Sequence, residues 1–230
     1  MRDGQVSETL EHARLGTRAD DERRFRFTER MIEGKDILDF GCGNGGYLKR
    51  AMGLARRAEG VELEEAFRGQ LVDEGIVCHE RIEGAGTFDV ITMFHVLEHL
   101  VDPVEVLGDI KSHLRDDGQL IVEVPNADDA LLSLYKCEAF ADFTYWVCHV
   151  YLYTRKTLSM LAERAGMKMK FMRQVQRYPL ANHLHWLSNA KPGGHYAWSF
   201  MEDEVMDERY GQMLANLGVA DTIMACLVKE

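Results

Sequence analysis

The feature that most constrains this chain is a glycine-rich loop that follows a short apolar segment near residue 40. Residues 37–40 read Ile-Leu-Asp-Phe, and four of the next six residues are glycine: Gly41, Gly43, Gly45 and Gly46. Glycines at these positions let the backbone turn sharply and approach a ligand closely. The pattern predicts a buried strand, a nucleotide-binding loop and a helix. Because Gly41, Gly43 and Gly46 also have the spacing GxGxxG, a dinucleotide remains an alternative ligand.

Two carboxylates near this loop indicate which ligand it binds. Asp39 lies two residues before the first glycine, where its charge would repel a diphosphate and attract the amino group of S-adenosylmethionine (SAM). At an effective dielectric constant near 20, a charge pair at about 4 Å is worth roughly 4 kcal/mol before desolvation. Glu62 follows Gly41 by 21 residues, where a carboxylate can accept hydrogen bonds from ribose hydroxyls. These residues favour SAM over NAD or FAD.

Short apolar runs alternate with helical patterns along the chain, which is typical of a parallel sheet with crossover helices. Strands are predicted at residues 36–40, 58–63, 76–78, 88–94, 119–124, 167–175 and 221–228. Helices are predicted near residues 7–32, 45–55, 64–74, 103–115, 126–148, 154–166 and 201–217. We therefore predict an α/β, Rossmann-like fold, with a seven-stranded, mainly parallel sheet, a C-terminal antiparallel hairpin and helices on both faces.

The predicted organisation is a single domain over residues 1–230. Residues 1–33 form an N-terminal helical cap and residues 34–175 the cofactor-binding core. Residues 176–200 are an insertion that could serve as a substrate wall, since long connections inside a compact domain are usually functional or carry their own structure. Residues 201–230 supply a closing helix and the last strand.

The composition excludes several classes of protein. With a formal net charge of −11 and no long basic run, the chain is expected not to bind nucleic acid. The five cysteines are odd in number and lack CxxC pairs, which is typical of reduced thiols. No apolar run is long enough for a membrane span and the first residues are polar, so we expect a cytoplasmic protein without membrane insertion. We expect a monomer or a homodimer.

Three segments resemble motifs of the class I SAM-dependent methyltransferase superfamily: LDFGCGNGGYL, FDVITMFHVLEHLVDP and LRDDGQLIVEVPN. The chain is similar to the small-molecule branch that includes ubiquinone-biosynthesis and sugar methyltransferases. The resemblance implies SAM as cofactor and S-adenosylhomocysteine (SAH) as product. It also implies a set of residues against the cofactor: Asp39, Gly41, Cys42, Gly43, Gly45, Glu62, Leu63 and Phe94, with His79 and Glu80 near adenine.

His95, Glu98 and His99 follow the fourth predicted strand, and one helical turn would place all three on one face. The same pattern occurs in zinc peptidases, where it needs a long helix and a third ligand further along the chain. In the ubiquinone-type methyltransferases that the chain resembles, a Glu-x-x-Glu-His patch at this place can hold a divalent cation, and here His95 replaces the first Glu. We expect no metal, with His95, Glu98 and His99 as the alternative site.

Methyl transfer to oxygen requires the acceptor hydroxyl to lose its proton, a task that suits a histidine with a near-neutral pKa. By the family resemblance, His95 would face the sulfonium of SAM, and His149 lies where relatives often have an active-site histidine. We predict His95 or His149 as the catalytic base. His183, His185 and His195 are weaker candidates.

The insertion at residues 176–200 is rich in aromatic and hydrogen-bonding side chains. Tyr178, His183, His185 and Trp186 are predicted to contact the substrate, because such side chains suit stacking and hydrogen bonding to a polar ring. The alternative is that this segment packs onto the edge of the sheet or against a dimer partner.

The residues and the resemblance together predict methyl transfer from SAM to a hydroxyl of a small polar molecule, a sugar or another precursor of a surface polysaccharide. The first alternative is a phenol or quinone O-methyltransferase, with or without a metal. The second is a subunit that binds the cofactor without catalysis. These alternatives share one fold, and fold does not identify the acceptor.

Overall fold

The computed structural model describes residues 3–145 and 148–230, with side chains from residue 13 onward, and this part of the chain contains one seven-stranded sheet. The strands are β1 (Asp36–Phe40), β2 (Arg57–Val61), β3 (Cys78–His79), β4 (Phe88–Phe94), β5 (Leu114–Pro125), β6 (Met167–Val175) and β7 (Thr222–Lys229). Their order in the sheet is β3-β2-β1-β4-β5-β7-β6. Only β7 runs antiparallel to its neighbours, β5 and β6. The predicted Rossmann-like architecture with an antiparallel C-terminal hairpin is confirmed.

Helices connect the strands and cover both faces of the sheet. They are α1 (Asp3–Ile32), α2 (Gly46–Ala51), α3 (Glu65–Asp73), α4 (Pro103–His113), α5 (Ala130–Ser133), α6 (Glu138–Thr144), α7 (Arg155–Arg164), α8 (Leu180–Asn189), α9 (Gly194–Ala197) and α10 (Glu204–Leu217). Single 3-10 turns lie at Ile82–Gly84, Leu97–His99 and Ser199–Met201. Within the described residues, no helix combines the length and the apolar character that crossing a membrane requires.

The core has two halves because side chains alternate between the two faces of each strand. Leu38 of β1 belongs to one apolar cluster, which also contains Leu107 of α4 and Leu158 of α7. Its neighbour Ile37 belongs to the other cluster, which contains Leu48 of α2. Burial on both faces explains why the inner strands read as continuous apolar runs.

The strand order positions a ligand crevice. The chain runs from β1 to β2 on one side and later returns to place β4 on the other side of β1. In open α/β sheets, ligands bind beyond the carboxyl ends of the strands at such a reversal. The glycine loop leaves β1 at this point, between the ends of β2 and β4.

Several predicted boundaries were wrong. The helix predicted at 103–115 ends at His113, and β5 begins at Leu114 rather than at residue 119, because the buried Leu114 already pairs with Phe88. A register shift in this strand pair follows before the regular ladder begins. Strand β2 ends at Val61, so the predicted strand residues Glu62 and Leu63 lie beyond it. The helical stretch predicted at 126–148 is two short helices, and its residues 146–147 lie outside the described part of the chain.

Candidate active site

Hydrogen bonds join the glycine loop to β2, and Gly43 in this loop has no side chain to shield the backbone. The N–H groups of Gly41 and Cys42 both donate to the carbonyl oxygen of Val61, at 2.8 and 3.0 Å. Gly43 has a φ of 51°, in the left-handed region that favours glycine. A Cβ atom added to Gly43 would project into open space. The loop therefore presents unobstructed backbone to a ligand above it.

Asp39 is a buried carboxylate beneath this loop. Asp39 is 3% exposed, and its Oδ1 accepts a hydrogen bond from Thr92 Oγ1 at 2.8 Å. Burial raises the pKa of Asp39 to about 7, although the Thr92 hydrogen bond and the charge of Arg24 act in the opposite direction. A cationic ligand beside the carboxylate would offset the desolvation of its charged form. Asp39 therefore fits the amino group of SAM.

Glu62 lies directly after β2 and is held by backbone donors. Its Oε2 accepts the Gly43 N–H and its Oε1 accepts the Glu64 N–H, both at 2.8 Å. These bonds orient a half-buried carboxylate at the rim of the loop, where ribose hydroxyls would approach it. The next side chain, Leu63, is 73% exposed.

Other residues predicted to contact the cofactor lie near the carboxyl ends of the neighbouring strands. Phe94 is buried, stacks edge-on against Tyr47 with ring centroids 4.9 Å apart, and lies under the guanidinium of Arg24. Near the expected adenine position, His79 Nε2 lies 2.8 Å from the carboxylate of Glu59. The structure thus brings the residues predicted for the cofactor together at one edge of the sheet.

His95 lies between two carboxylates and a guanidinium at the end of β4. It follows β4 with a left-handed φ of 54°, and its Nδ1 lies 2.9 Å from Glu98 Oε1 and its Nε2 3.0 Å from Glu123 Oε1. Burial lowers the pKa of His95, but the hydrogen bonds to Glu123 and Glu98 outweigh it and raise the pKa above the usual value. A guanidinium nitrogen, Arg177 Nη1, also lies 3.0 Å from His95 Nε2, and a guanidinium can only donate a hydrogen bond. Both ring nitrogens of His95 therefore contact partners within the protein, and its role as a base stays a prediction.

Helix α1 contributes charged residues that the sequence reading missed. Glu123 of β5 is fully buried, and Arg23 and Arg24 of α1 donate hydrogen bonds to its carboxylate at 2.8–3.2 Å. In addition, Asp20 of α1 binds the guanidinium of Arg177. The run Asp-Asp-Glu-Arg-Arg at residues 20–24 resembles an exposed helix face, so its sequence carries little signal for this buried network.

A cavity of about 710 Å³ adjoins His95 beyond the ends of β4 and β5. Its aromatic lining consists of Phe140, Phe143, Tyr178 and Trp186. Its other lining side chains include His149, His183, His195, Asn126, Asp129, Asp142, Arg177 and Asn182. The volume is in the range of small-molecule sites.

Three of the four predicted substrate residues, Tyr178, His183 and Trp186, line this cavity. Burial lowers the pKa of His183 to about 4, and its Nδ1 lies 2.7 Å from Tyr210 Oη, so it is a neutral wall residue. His185 is not among the lining residues: its Nδ1 lies 2.9 Å from the Lys191 carbonyl oxygen, and its ring packs against Trp198. Successive positions of α8 point to different sides, so His183 and Trp186 reach the cavity while His185 does not.

Glu98, His99 and His149 form a cluster whose potential metal-binding atoms all lie within 4.8 Å of one another. The Nδ1 atoms of His99 and His149 lie 2.7 and 2.8 Å from the carbonyl oxygens of Cys148 and Thr144. Such bonds select the tautomer with the lone pair on Nε2, as in histidines that bind metals. Glu98 is fully buried, and its Oε2 has no hydrogen-bond partner. The structure thus groups His149 with Glu98 and His99, whereas the predicted alternative set had His95 in that place, and metal binding stays a prediction.

The fold, the bare glycine loop and the buried Asp39 define a class, the SAM-dependent methyltransferases of Rossmann-like fold. The profile of the family described as "Methyltransferase domain" matches residues 11–170. The chain belongs to this family, and it is a methyltransferase whose cofactor is SAM.

Individual relatives differ in what they act on. A ubiquinone biosynthesis O-methyltransferase of Thiobacillus denitrificans is 29% identical over 170 residues, which cover 66% of this chain and 73% of that protein. A tRNA U34 carboxymethyltransferase of Campylobacter hominis is 30% identical over 151 residues, which cover 60% of this chain and 52% of that protein. The aligned part spans about half the length of several further relatives (46% in two of them), so the acceptor must be inferred from the site.

A SAM-dependent methyltransferase from Thermotoga maritima has a TM-score of 0.61 and covers 97% of this chain and 96% of its own. At 17% identity, this similarity shows the fold alone.

Proposed function

We propose that this protein transfers the methyl group of SAM to the hydroxyl of an aromatic ring, as in a phenol, catechol or hydroquinone. The observation that carries the proposal is the aromatic-lined cavity beside the cofactor crevice, with the Glu98–His99–His149 cluster at its edge. His149 belongs to both the cavity and the cluster, so an acceptor hydroxyl placed there would meet these groups.

The cavity walls suit a planar apolar acceptor. The Trp186 ring is 3% exposed and packs against Phe140 and Phe143, with ring centroids 5.2 and 5.3 Å apart. Offset or edge-on stacking of such rings contributes about 0.5–1.5 kcal/mol per pair beyond the buried area. The similarity to ubiquinone biosynthesis O-methyltransferases agrees with this acceptor class.

The sugar acceptor predicted from the sequence has less support, because polar groups along the cavity already have partners within the protein. Asn126 Nδ2 donates to the Ala220 carbonyl oxygen at 2.7 Å, and Asn182 Oδ1 accepts the Gly194 N–H at 3.1 Å. A sugar ring needs many such groups free for its hydroxyls. The expectation that nucleic acid is not a partner, the cytoplasmic location and the monomer or homodimer remain predictions.

In this proposal, different residues of the chain bind the cofactor and the acceptor. Asp39 binds the amino group of SAM, Glu62 binds the ribose, and the bare backbone at Gly43 admits the adenosine. His95, held by Glu98 and Glu123, lines the acceptor cavity. Fixing the two reactants in line in this way can contribute roughly 7–11 kcal/mol to catalysis.

The residues of the cluster fit a divalent cation, because a buried carboxylate oxygen without a partner faces two imidazoles with oriented tautomers. Glu98, His99 and His149 would hold the ion, and their mixture of nitrogen and oxygen favours Zn²⁺ or Mn²⁺ over Mg²⁺. When bound, such an ion lowers the pKa of a coordinated hydroxyl. Without it, the predicted role of His149 as the base, acting through Nε2, would account for removal of the acceptor proton.

The test compares acceptors and metals on one preparation. Transfer of labelled methyl from SAM is measured with catechols, hydroquinones and nucleotide sugars, before and after a chelator and with Zn²⁺, Mn²⁺ or Mg²⁺ restored. We expect turnover of the aromatic acceptors, loss with the chelator and recovery with one ion. Phe143→Ala should raise the KM for the acceptor and leave SAH affinity unchanged.

His99→Gln is the matched metal variant, and His113→Gln is its control, because His113 lies at the end of α4 and bonds only locally around Asp109. We expect His99→Gln to weaken metal binding at least about tenfold, since even outer-sphere changes have effects of this size. Turnover that is insensitive to the chelator and to His99→Gln would contradict the metal. Turnover of sugars alone would contradict the aromatic acceptor, and SAH binding without any turnover would favour a non-catalytic subunit.

A further inference from the structure

Two thiols meet beneath the glycine loop. The Sγ atoms of Cys42, in the loop, and Cys78, on β3, lie 3.8 Å apart. Cys42 is buried and Cys78 is half-buried, so one member of the pair can be reached from solvent. The other cysteines lie elsewhere: Cys137 and Cys226 contact Trp186 and Gln119, and Cys148 is exposed.

A glycine on the intervening strand allows this contact. Gly60 of β2 lies in register with Cys78, and the next residue, Val61, accepts the backbone N–H of Cys42. A Cβ atom on Gly60 would lie 2.6 Å from Cys42 Sγ, closer than real side chains approach. The absence of a side chain at Gly60 therefore lets Cys42 reach across β2 to Cys78.

We propose that Cys42 and Cys78 form an oxidation site, in which a peroxide links them reversibly by a disulfide and thereby weakens cofactor binding. The Cys78 thiolate attacks hydrogen peroxide, giving a sulfenic acid and hydroxide. The Cys42 thiol then displaces the sulfenic oxygen as water, with its proton, and the S–S bond forms. Peroxide receives the two electrons, and a dithiol reductant reverses the reaction.

The surroundings assign the two roles. The hydrogen bond with Cys42 lowers the pKa of the Cys78 thiol, although burial and the charge of Glu62 oppose this, and Arg68 adds to the lowering. The more accessible thiol is thus also the one that forms the thiolate, the form that reacts with peroxide. The same hydrogen bond and burial raise the pKa of Cys42, so this buried thiol reacts second, and its Sγ lies 3.8 Å from Cys78 Sγ.

The link would disturb the loop because the sulfurs must approach from 3.8 Å to about 2.05 Å. Cys42 is followed by Gly43, whose N–H holds the Glu62 carboxylate at 2.8 Å. Pulling Cys42 toward β3 moves this donor and the bare backbone beside it. The expected loss of affinity rests on the proposed role of the loop and Glu62 in binding SAM.

The experiment uses the full chain, reduced and then treated with hydrogen peroxide, with and without dithiothreitol afterwards. Intact mass and peptide mapping identify any linkage, and calorimetry measures the Kd for SAH. We expect a Cys42–Cys78 linkage, a Kd raised at least about tenfold, and recovery after reduction. Cys78→Ser should keep its SAH affinity through the treatment, while the control Cys148→Ser should lose it as the wild type does.

Oxidation of Cys148 without a Cys42–Cys78 linkage would overturn the site, and a linked protein that binds SAH as tightly as the reduced one would overturn its effect on binding. If Cys78→Ser does not fold, the Kd for SAH of the oxidised wild type, compared with that of the re-reduced wild type, still tests the effect of the linkage. Failure of the reduced wild type to bind SAH would contradict the proposed cofactor site instead, and peptide mapping would still decide the linkage.

Discussion

Asp39→Asn separates the charge of the cofactor site from its shape. Burial raises the pKa of Asp39 from 3.8 to about 7, which corresponds to a cost of about 4 kcal/mol for the ionised form in the folded protein. Because the folded-state pKa lies above the unfolded value, this cost is absent below about pH 4 and develops as the pH rises to about 7. Asn carries no such cost. We therefore expect the free variant to unfold at a higher temperature than the wild type above pH 7.

Cofactor binding should change in the opposite direction. The ammonium group of SAH requires ionised Asp39, whose ionised fraction is about 3% at pH 5.5 and about half at pH 7 if the pKa is about 7. SAH affinity should therefore rise roughly fifteenfold over this range. The groups that face Asp39 are Thr92, Arg24, Asp21 and Glu62, and they are unchanged in the variant. Loss of one charge-assisted hydrogen bond, about 1.5–3 kcal/mol, should weaken SAH binding by roughly 10- to 100-fold.

Calorimetric titration of SAH at several pH values, together with thermal unfolding without ligand, measures both effects. Asp109→Asn, on the exposed side of α4, is the matched control and should behave as the wild type in both assays. The reasoning would be refuted by an Asp39→Asn variant that binds SAH as tightly as the wild type at pH 7. It would also be refuted if that variant kept the wild-type pH dependence.

Two further substitutions test contacts around the site, a buried ion-pair cluster and a helix N-cap. Glu123→Gln removes the buried carboxylate that Arg23 and Arg24 share, leaves them only Asp20 and Asp21 as charged partners, and should destabilise the protein by about 3–5 kcal/mol in urea unfolding at pH 7. Burial opposes ionisation of Glu123, but His95 and Arg24 hold its pKa well below the usual value. The difference in unfolding free energy between wild type and variant should therefore persist above about pH 4.5 and shrink in stronger acid. A difference that does not change with pH would contradict the ion pairs. Asp102→Ala removes the N-cap of α4, which accepts the Glu105 N–H at 3.1 Å, and should lower the free energy of unfolding by about 0.5–2 kcal/mol with SAH affinity unchanged. Asp102→Asn, which keeps the cap, should restore most of that loss.

Features set by residues close together in sequence were predicted more accurately than features set by contacts between distant residues. The predicted strand at 36–40 and the glycine loop depend on local rules, alternation of apolar residues and positive φ angles, and both were confirmed. Asp39 and Glu62 lie where the ends of β1 and β2 place them, and their roles at the cofactor stay predictions. Boundaries such as the start of β5 at Leu114 depend on a partner, Phe88, 26 residues away, and were missed.

The amino-acid sequence by itself determined the α/β order, the loop that approaches the cofactor and the class of enzyme, because spacing along the chain encodes them. Only the tertiary structure decided what surrounds each functional group. Arg23 reaches Glu123 across 100 positions, and the same buried carboxylate lies 3.0 Å from His95 Nε2. Likewise, folding brings His149 to Glu98 and Cys42 to Cys78. The chemistry of these groups depends on burial and on neighbours distant in sequence, which no local pattern contains.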